Sequence, residues 1–261
     1  MAAAVPPHGK GSGMEGLKGK SPRGARTEGV IIIPVYNEEK NVRAVLEEIR
    51  GEGIDWDIVA VDDGSTDRSR ELLEDMRVIL ISHPVNLGYG AAVQTGLRYA
   101  VKEGYGTVVL MDADGQHVPS EIPKLLRGVE NGADIVIGSR LLGPAAEYRI
   151  PLLRRIGISF FSSVARLLGG TRIYDVTSGF QAMRRPVAEF LAEEYPVEFP
   201  DAEVIISLGL KKFRIAEVPA RIRRRERGTS MYANPAKALY YPFKSLLASF
   251  IVLLRLIRER K

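Results

Sequence analysis

Two carboxylates stand one residue apart in Asp112-Ala113-Asp114, followed by Gly115 and Gln116 and preceded by the apolar run 108–111. In a turn both can face one cation, with Gln116 adding a neutral oxygen. Oxygen ligands of this kind suit Mg2+ or Mn2+, which keep several waters and bind substrate phosphates. A cation held there would neutralise a diphosphate leaving group. With no cysteine the chain excludes a thiolate metal centre, and with only His8, His83 and His117 it favours a hard cation held by carboxylates over a multi-histidine zinc centre. The lack of cysteine also excludes disulfides and a Cys nucleophile, and it fits a reducing compartment.

Three more polar clusters follow apolar runs in the same way. Pro34, Tyr36, Asn37 and Glu38 come after 30–33, Asp62 and Asp63 with Ser65, Thr66 and Asp67 after 58–61, and Ser139 and Arg140 after 135–137. One acidic residue after a strand is commonly a helix N-cap, and Ser65 or Asp67 can serve as one. Four polar strand ends along one sheet edge instead make a site. Gly88 and Gly90 add a glycine pair at the start of a helix-period segment, with acidic residues about twenty positions later, which imitates a dinucleotide fingerprint. That rival, an NAD(P) oxidoreductase, is weakened by Val93 at the third glycine position and by two complete βα units upstream.

The elements that must position these residues are short β-branched runs alternating with longer helix-period segments. The patterning predicts strands at 30–33, 58–61, 78–81, 108–111 and 135–137, and helices at 42–50, 68–76, 91–102 and 122–130. This is the order of βαβ units, so an α/β fold with a mostly parallel sheet flanked by helices is expected. Strands apolar throughout imply cover on both faces, which leaves chemistry to loops at their C-terminal ends. After Arg140 the rhythm changes: a helix at 152–168, the segment 174–185, a helix near 202–210, a strand at 213–218 and the cluster Arg221, Arg223, Arg224, Arg225 and Arg227. This part is read as an acceptor-side extension of the same domain.

Charge is distributed unevenly along the 261 residues. The stretch 30–219 has 21 Lys or Arg against 28 Asp or Glu, whereas 220–261 has 11 against 2. A basic end on an acidic body suits an anionic partner such as a phospholipid, a phosphorylated substrate or a nucleic acid. A nucleic-acid-binding module leaves unexplained why Asp62, Asp63, Asp112 and Asp114 would face a polyanion. Residues 1–28, rich in Gly, Pro, Lys and Arg, are expected to be a disordered leader. In 231–261, the uncharged run 245–254 falls short of the ~20 residues a bilayer span needs. An amphipathic helix lying on a membrane surface, or packing on the domain or an oligomer partner, is expected there.

The runs IIIPVYNEEKNV, VDDGSTD, NLGYGAAVQTGL, MDADGQHVP, IGSR and TSGFQAMRR occur in that order. Together they resemble the family 2 inverting glycosyltransferases, most closely the dolichyl-phosphate mannose synthase and polyprenyl-phosphate glycosyltransferase branch, over residues 29–230. The resemblance implies a nucleotide-sugar-binding fold of the GT-A type. It further implies metal-dependent transfer of a hexose from GDP-mannose or a UDP-hexose to a polyprenyl or dolichyl phosphate at the cytoplasmic face of a membrane, in cell-envelope glycan biosynthesis. Transfer to a sugar hydroxyl is the alternative within the fold.

Carried over motif by motif, the resemblance puts Pro34, Tyr36, Asn37, Glu38 and Gly88 around the nucleotide sugar, with Asp62 or Asp63 receiving the base and ribose. It puts Asp112, Asp114 and Gln116 on the metal, and Arg140, Ser178, Arg225 and Ser230 near the acceptor phosphate. A phosphate monoester is ionised at neutral pH and attacks without a general base. A hydroxyl acceptor needs one, and Asp201 is the base expected in that case. Gly115, where many relatives carry a larger apolar residue, and the Arg run ahead of Thr229, Ser230 and Met231 depart from the family pattern.

Overall fold

The computed structural model describes residues 28–142, 152–196 and 200–223 of the chain. Its strands form a seven-stranded sheet. They are β1 (Gly29–Val35), β2 (Asp57–Asp62), β3 (Ile79–Ser82), β4 (Thr107–Leu110), β5 (Ile135–Ser139), β6 (Gln181–Arg184) and β7 (Ile215–Pro219), in the spatial order β3-β2-β1-β4-β6-β5-β7. All pair in parallel except β6, which lies antiparallel between β4 and β5. The five predicted strands before Arg140 and the strand near 213–218 are present. Strand β6 was not predicted, because QAMR is short and half polar.

The sheet is covered on both faces, as the fully apolar strands require. On one face α3 (Tyr89–Glu103) and α6 (Arg185–Glu194) bury Val93, Leu97, Val187 and Leu191 over Ile32, Val61, Leu110 and Met183. On the other, α1 (Val42–Gly51), α2 (Ser69–Glu74) and α4 (Ile122–Glu130) cover Ile31, Ile33, Ala60, Val109 and Ala182. Beside the first face, α5 (Leu152–Gly169) and α7 (Pro200–Leu210) enclose Ile137, Phe161, Ile173 and Ile205. No helix among the described residues is long and apolar enough to cross a membrane. The leader to residue 27, Arg224, Arg225, Arg227, Ser230 and the tail 231–261 lie outside the described residues.

One buried polar pair ties the far edge of the sheet. Tyr105 is buried and its hydroxyl donates to Asp57 Oδ2 at 2.7 Å. Burial, reinforced by the Asp57 carboxylate, pushes the phenol up and keeps it protonated. Tyr105→Phe removes this donor and should cost about 1–3 kcal/mol, read as a lower denaturation midpoint with transfer activity at the parent level.

Candidate active site

The parallel strands deliver their C-terminal ends to one sheet edge, where Val35, Asp62 and Ser82 stand in register, as do Leu110, Gln181 and Ile137. Because β6 runs the other way, the loop entering it, Ser178 to Phe180, arrives at the same edge. Pro34 is buried within β1. Residues 32 and 34 turn their backbone polar groups toward β4, as the bond from Met111 N–H to the Ile32 carbonyl shows, and the β1–β4 pairing stops at Ile32 and Leu110. A proline therefore costs no ladder hydrogen bond at 34.

On the β2 side of the edge, two loops are tied together. Asn37 sits at φ 54, and its Oδ1 accepts from Thr66 N–H at 2.8 Å and Asp67 N–H at 3.3 Å. In return the N–H groups of Asn37, Glu38 and Glu39 donate to Ser65 Oγ, Ser69 Oγ and Asp67 Oδ2 at 3.0, 2.8 and 3.1 Å. Asn41 Nδ2 donates to Glu38 Oε2 at 2.7 Å. The pair forms a fixed rim from which the exposed Tyr36 ring projects.

Asp62 and Asp63, which the sequence leaves equivalent, differ in the structure. Both are buried and they differ in their partners: the Asp63 carboxylate pairs with His83 Nδ1 at 2.7 Å while accepting from Leu87 and Gly88 N–H at 2.9 and 2.8 Å. His83 Nε2 lies 2.9 Å from Thr95 Oγ1. Asp63 therefore fixes the loop leading into α3, and Gly88 serves that loop through its N–H. The Asp62 carboxylate accepts from Ser65 N–H at 3.1 Å. Gly64 between the loops has φ +67, and a Cβ there would come within 2.5 Å of the Val85 carbonyl carbon, so only glycine fits.

The Asp112 loop is anchored by residues that its acidic motif does not reveal. His117 is buried and stacks on Phe180 with ring centroids 4.9 Å apart. Burial, aided by the Arg140 charge and opposed by Asp114, lowers its pKa to about 4, so the ring is neutral near pH 7. Its Nδ1 accepts from Asp112 N–H at 3.0 Å, which leaves the proton on Nε2, 3.6 Å from Asp112 Oδ2. Tyr89 donates its hydroxyl to Asp112 Oδ1 at 3.0 Å. Asp114 Oδ1 accepts from Gln116 N–H at 3.0 Å, and Gln116 Nε2 donates to the Arg223 carbonyl at 3.2 Å. Arg223 in turn forks onto Glu48 of α1 at 2.9 and 2.8 Å.

These residues fit a hard divalent cation. Asp112 keeps its side chain 31% exposed, and the two acids offer oxygen only. Among the described residues no group of three or more His, Cys, Asp or Glu is placed to hold an ion. A cation here would take its remaining ligands from water and substrate oxygens, as Mg2+ and Mn2+ do.

Gly179 closes this region from the β6 loop. A Cβ at 179 would stand 2.8 Å from the Tyr89 hydroxyl and 3.4 Å from Asp112 Oδ2. Gly179→Ala should displace Tyr89 and lower turnover about tenfold or more, since a hydrogen bond to a charged group contributes about 1.5–3 kcal/mol. A kcat series with circular dichroism as the folding control checks this.

Arg140, on the β5 side, is held by an unforeseen partner. Its Nε and Nη2 donate to the two oxygens of Asp175 at 2.8 and 2.6 Å, its N–H donates to Asp175 Oδ2 at 2.9 Å, and Nη2 also reaches Thr177 Oγ1 at 2.6 Å. Burial alone would raise the Asp175 pKa, but the Arg140 fork outweighs it and holds the carboxyl below its ordinary value. Glu217 of β7 accepts from the Tyr174 and Asp175 N–H groups at 2.9 and 2.8 Å. Ser178 is buried and donates to the Gly138 carbonyl at 2.6 Å, so its hydroxyl shapes the loop. Asp201 lies in the first turn of α7. Of the basic cluster, Arg221 pairs with Glu121 at 2.8 Å and Arg223 with Glu48, so both hold the fold together.

A mostly parallel sheet with one reversed strand, an Asp-x-Asp loop at its C-terminal edge and a tied double loop beside it defines a glycosyltransferase of the GT-A type. Residues 30–191 match the Glycosyl transferase family 2, and the chain belongs to that family. It is 32% identical over 209 residues to the UDP-N-acetylglucosamine--dolichyl-phosphate N-acetylglucosaminyltransferase of Methanococcus voltae, an alignment spanning 72% of this chain and 83% of that protein. It is also 32% identical over 213 residues to the polyprenol monophosphomannose synthase of Mycolicibacterium smegmatis, spanning 77% and 79%. Among solved structures, glucosyl-3-phosphoglycerate synthase from Mycobacterium tuberculosis shares the fold with a TM-score of 0.61 at 20% identity, over 86% of this chain and 78% of that one.

Proposed function

We propose that this glycosyltransferase moves a hexose from GDP-mannose or a UDP-hexose to a polyprenyl or dolichyl phosphate, with inversion at the anomeric carbon, while resting on the cytoplasmic face of a membrane. The observation that carries the reading is the state of the carboxylates beside Arg140. Asp175 is bound by the Arg140 fork and held below its ordinary pKa, and Glu217 accepts two backbone N–H groups. Asp175 is therefore poorly suited to take a proton from a sugar hydroxyl. A phosphate monoester has a second pKa of about 6 and is already a nucleophile at neutral pH. The names of the two relatives above, which act on dolichyl phosphate or make a polyprenol phosphosugar, point to the same acceptor.

In this reading Tyr36, Asn37 and Glu38 line the nucleotide, and Asp62, rather than the fully engaged Asp63, receives its base or ribose. Asp112 and Asp114, with Gln116 at their side, would hold Mg2+ or Mn2+. Such an ion supplies charge neutralisation for the leaving diphosphate. Tyr89 and His117 keep Asp112 aimed, and the neutral His117 adds no competing charge. Arg140, held rigid by Asp175, keeps a small part of its guanidinium exposed, and Arg225 and Ser230, outside the described residues, would join it toward the acceptor phosphate. An acceptor oxygen bonds to the anomeric carbon as the bond to the diphosphate oxygen breaks, so the configuration inverts.

An acceptor series tests this. With Mn2+ and donor present, nucleotide release by the full chain should rise on adding a short polyprenyl phosphate and stay at background with the matching polyprenol or a free sugar. Release driven by a sugar hydroxyl instead would replace this reading and make Asp201 the base to test.

A further inference from the structure

Glu217 stands in the middle of β7, the last strand of the sheet order, in register with Ile137 of β5. The pairing of β7 with β5 is made by backbone and has no need of a carboxylate. The Glu217 side chain instead spans two successive N–H groups of a distant loop. Its Oε2 accepts from Tyr174 at 2.9 Å and its Oε1 from Asp175 at 2.8 Å. Bonds from N–H to a carboxylate are about twice as strong as neutral ones. The loop fixed in this way carries Asp175, completely buried, which receives Arg140 through Nε, Nη2 and the main-chain N–H. Two further bonds tie the same loop: the Tyr174 carbonyl accepts from Ser162 Oγ at 2.6 Å, and the Asp175 carbonyl from Ser178 N–H at 3.3 Å. A change at Glu217 therefore shifts the loop and leaves it attached.

We infer that Glu217 is a positioning residue for Arg140. Glu217 sets the backbone of 174 and 175, that backbone sets the Asp175 carboxylate, and the carboxylate sets where the Arg140 guanidinium stands along the sheet edge that also carries Asp112. The two-pronged fork makes Asp175 and Arg140 move as one body, so the fork by itself does not fix the place of that body. Glu217, anchored in the sheet two residues before the partner of Ser139, supplies the reference. The placement matters because a displacement of about 1 Å at a group that orients a reactant can cost about a hundredfold in rate. What Arg140 meets there, an acceptor phosphate, rests on the polyprenyl-phosphate reading; its placement by Glu217 does not.

Glu217→Gln tests this, because it keeps the length of the side chain and one acceptor oxygen but turns an amide N–H toward a backbone N–H. In the full chain with Mn2+, kcat/KM for a short polyprenyl phosphate should fall about tenfold or more, while the Kd of the nucleotide sugar stays at the parent value. Glu217→Asp, which keeps the charge and shortens the reach, should fall between the two and carries the same measurements if the Gln variant does not fold. On an Arg140→Lys background, adding Glu217→Gln should lower transfer by no more than about twofold, because the two residues act in series. The acid limb of the rate profile, which a phosphate acceptor sets at its second pKa of about 6, should stay in place in the Gln variant. Independently of any acceptor, the Arg140 Nε–H signal in a 15N spectrum, identified by its loss in Arg140→Lys, should exchange with solvent about tenfold faster in Glu217→Gln. Parent transfer in a folded Gln variant, a full additive loss on the Lys background, or unchanged exchange at Arg140 would overturn the inference. Loss of the acid limb would overturn it too, by making Glu217 a proton acceptor in the reaction. A parent without turnover of the prenyl phosphate, whose Arg140 signal still responds to Glu217→Gln, would strike the acceptor reading and leave the placement standing.

Discussion

Asp112→Asn is expected to lower turnover on the order of a thousandfold, because a bound cation contributes several kcal/mol to stabilising a leaving diphosphate. The substitution keeps the shape of the side chain and an oxygen that can accept from Tyr89. It also leaves the Asp112 N–H bond to His117 in place. The loop should therefore hold its form and the unfolding midpoint should stay near that of the parent. What is lost is one of the two charges that would hold a divalent ion, so the Mn2+ concentration for half-maximal activity should rise together with the fall in turnover. Asp114→Asn should behave alike, with somewhat more freedom in the turn, since Asp114 also accepts from Gln116 N–H. Parent activity in both variants would remove the metal from the account.

Asp175→Asn should be the most destabilising single change among the polar residues of the site. Asp175 is completely buried and Arg140 is nearly so. Removing one partner of such a pair leaves an uncompensated charge and costs about 3–5 kcal/mol. Denaturant unfolding of the single variants, and of Arg140→Met with Asp175→Asn together, should show the double variant recovering much of the loss. The pH dependence has a definite sign. The folded pKa of Asp175 lies below its ordinary 3.8, so its stabilisation is present above that value and is lost as pH falls through the lower, folded value. The parent should therefore show an acid-dependent loss below about pH 4 that the Asn variant lacks. Arg140→Lys keeps the charge but reaches only one carboxylate oxygen at a time, so it should fall between parent and Asp175→Asn in stability.

These two sets of residues were not equally legible in the sequence. The Asp-x-Asp loop can be read because its two carboxylates are neighbours and follow an apolar strand. The first five strands were legible from unbroken β-branched runs, and with them the sheet edge that gathers Asp62, Asp112 and Arg140. Strand β6 was not, because its four residues, QAMR, are too few to show an alternation and α6 begins at the next residue. Asp175 and Glu217 escaped for a different reason. Their meaning lies in contacts 35 and 42 residues away along the chain, and an acidic residue inside IAEVP reads simply as the polar side of a strand.

Within the basic cluster, two residues take partners that the sequence does not show. Arg223 and Arg221 find Glu48 and Glu121, 175 and 100 positions away. Asp63, likewise, reads as a nucleotide ligand until its bonds to His83, Leu87 and Gly88 are counted.

The central claim is the bond that the enzyme makes, and the most direct test is the structure of the product. The full chain, incubated with Mn2+, a nucleotide sugar and a short polyprenyl phosphate, should yield a lipid heavier by one sugar residue. Phosphorus NMR should show its phosphate converted from monoester to diester, with the sugar joined through its anomeric carbon in the configuration opposite to that of the donor. A product in which the lipid phosphate remains a monoester, with the sugar on a hydroxyl or released to water, would contradict the account.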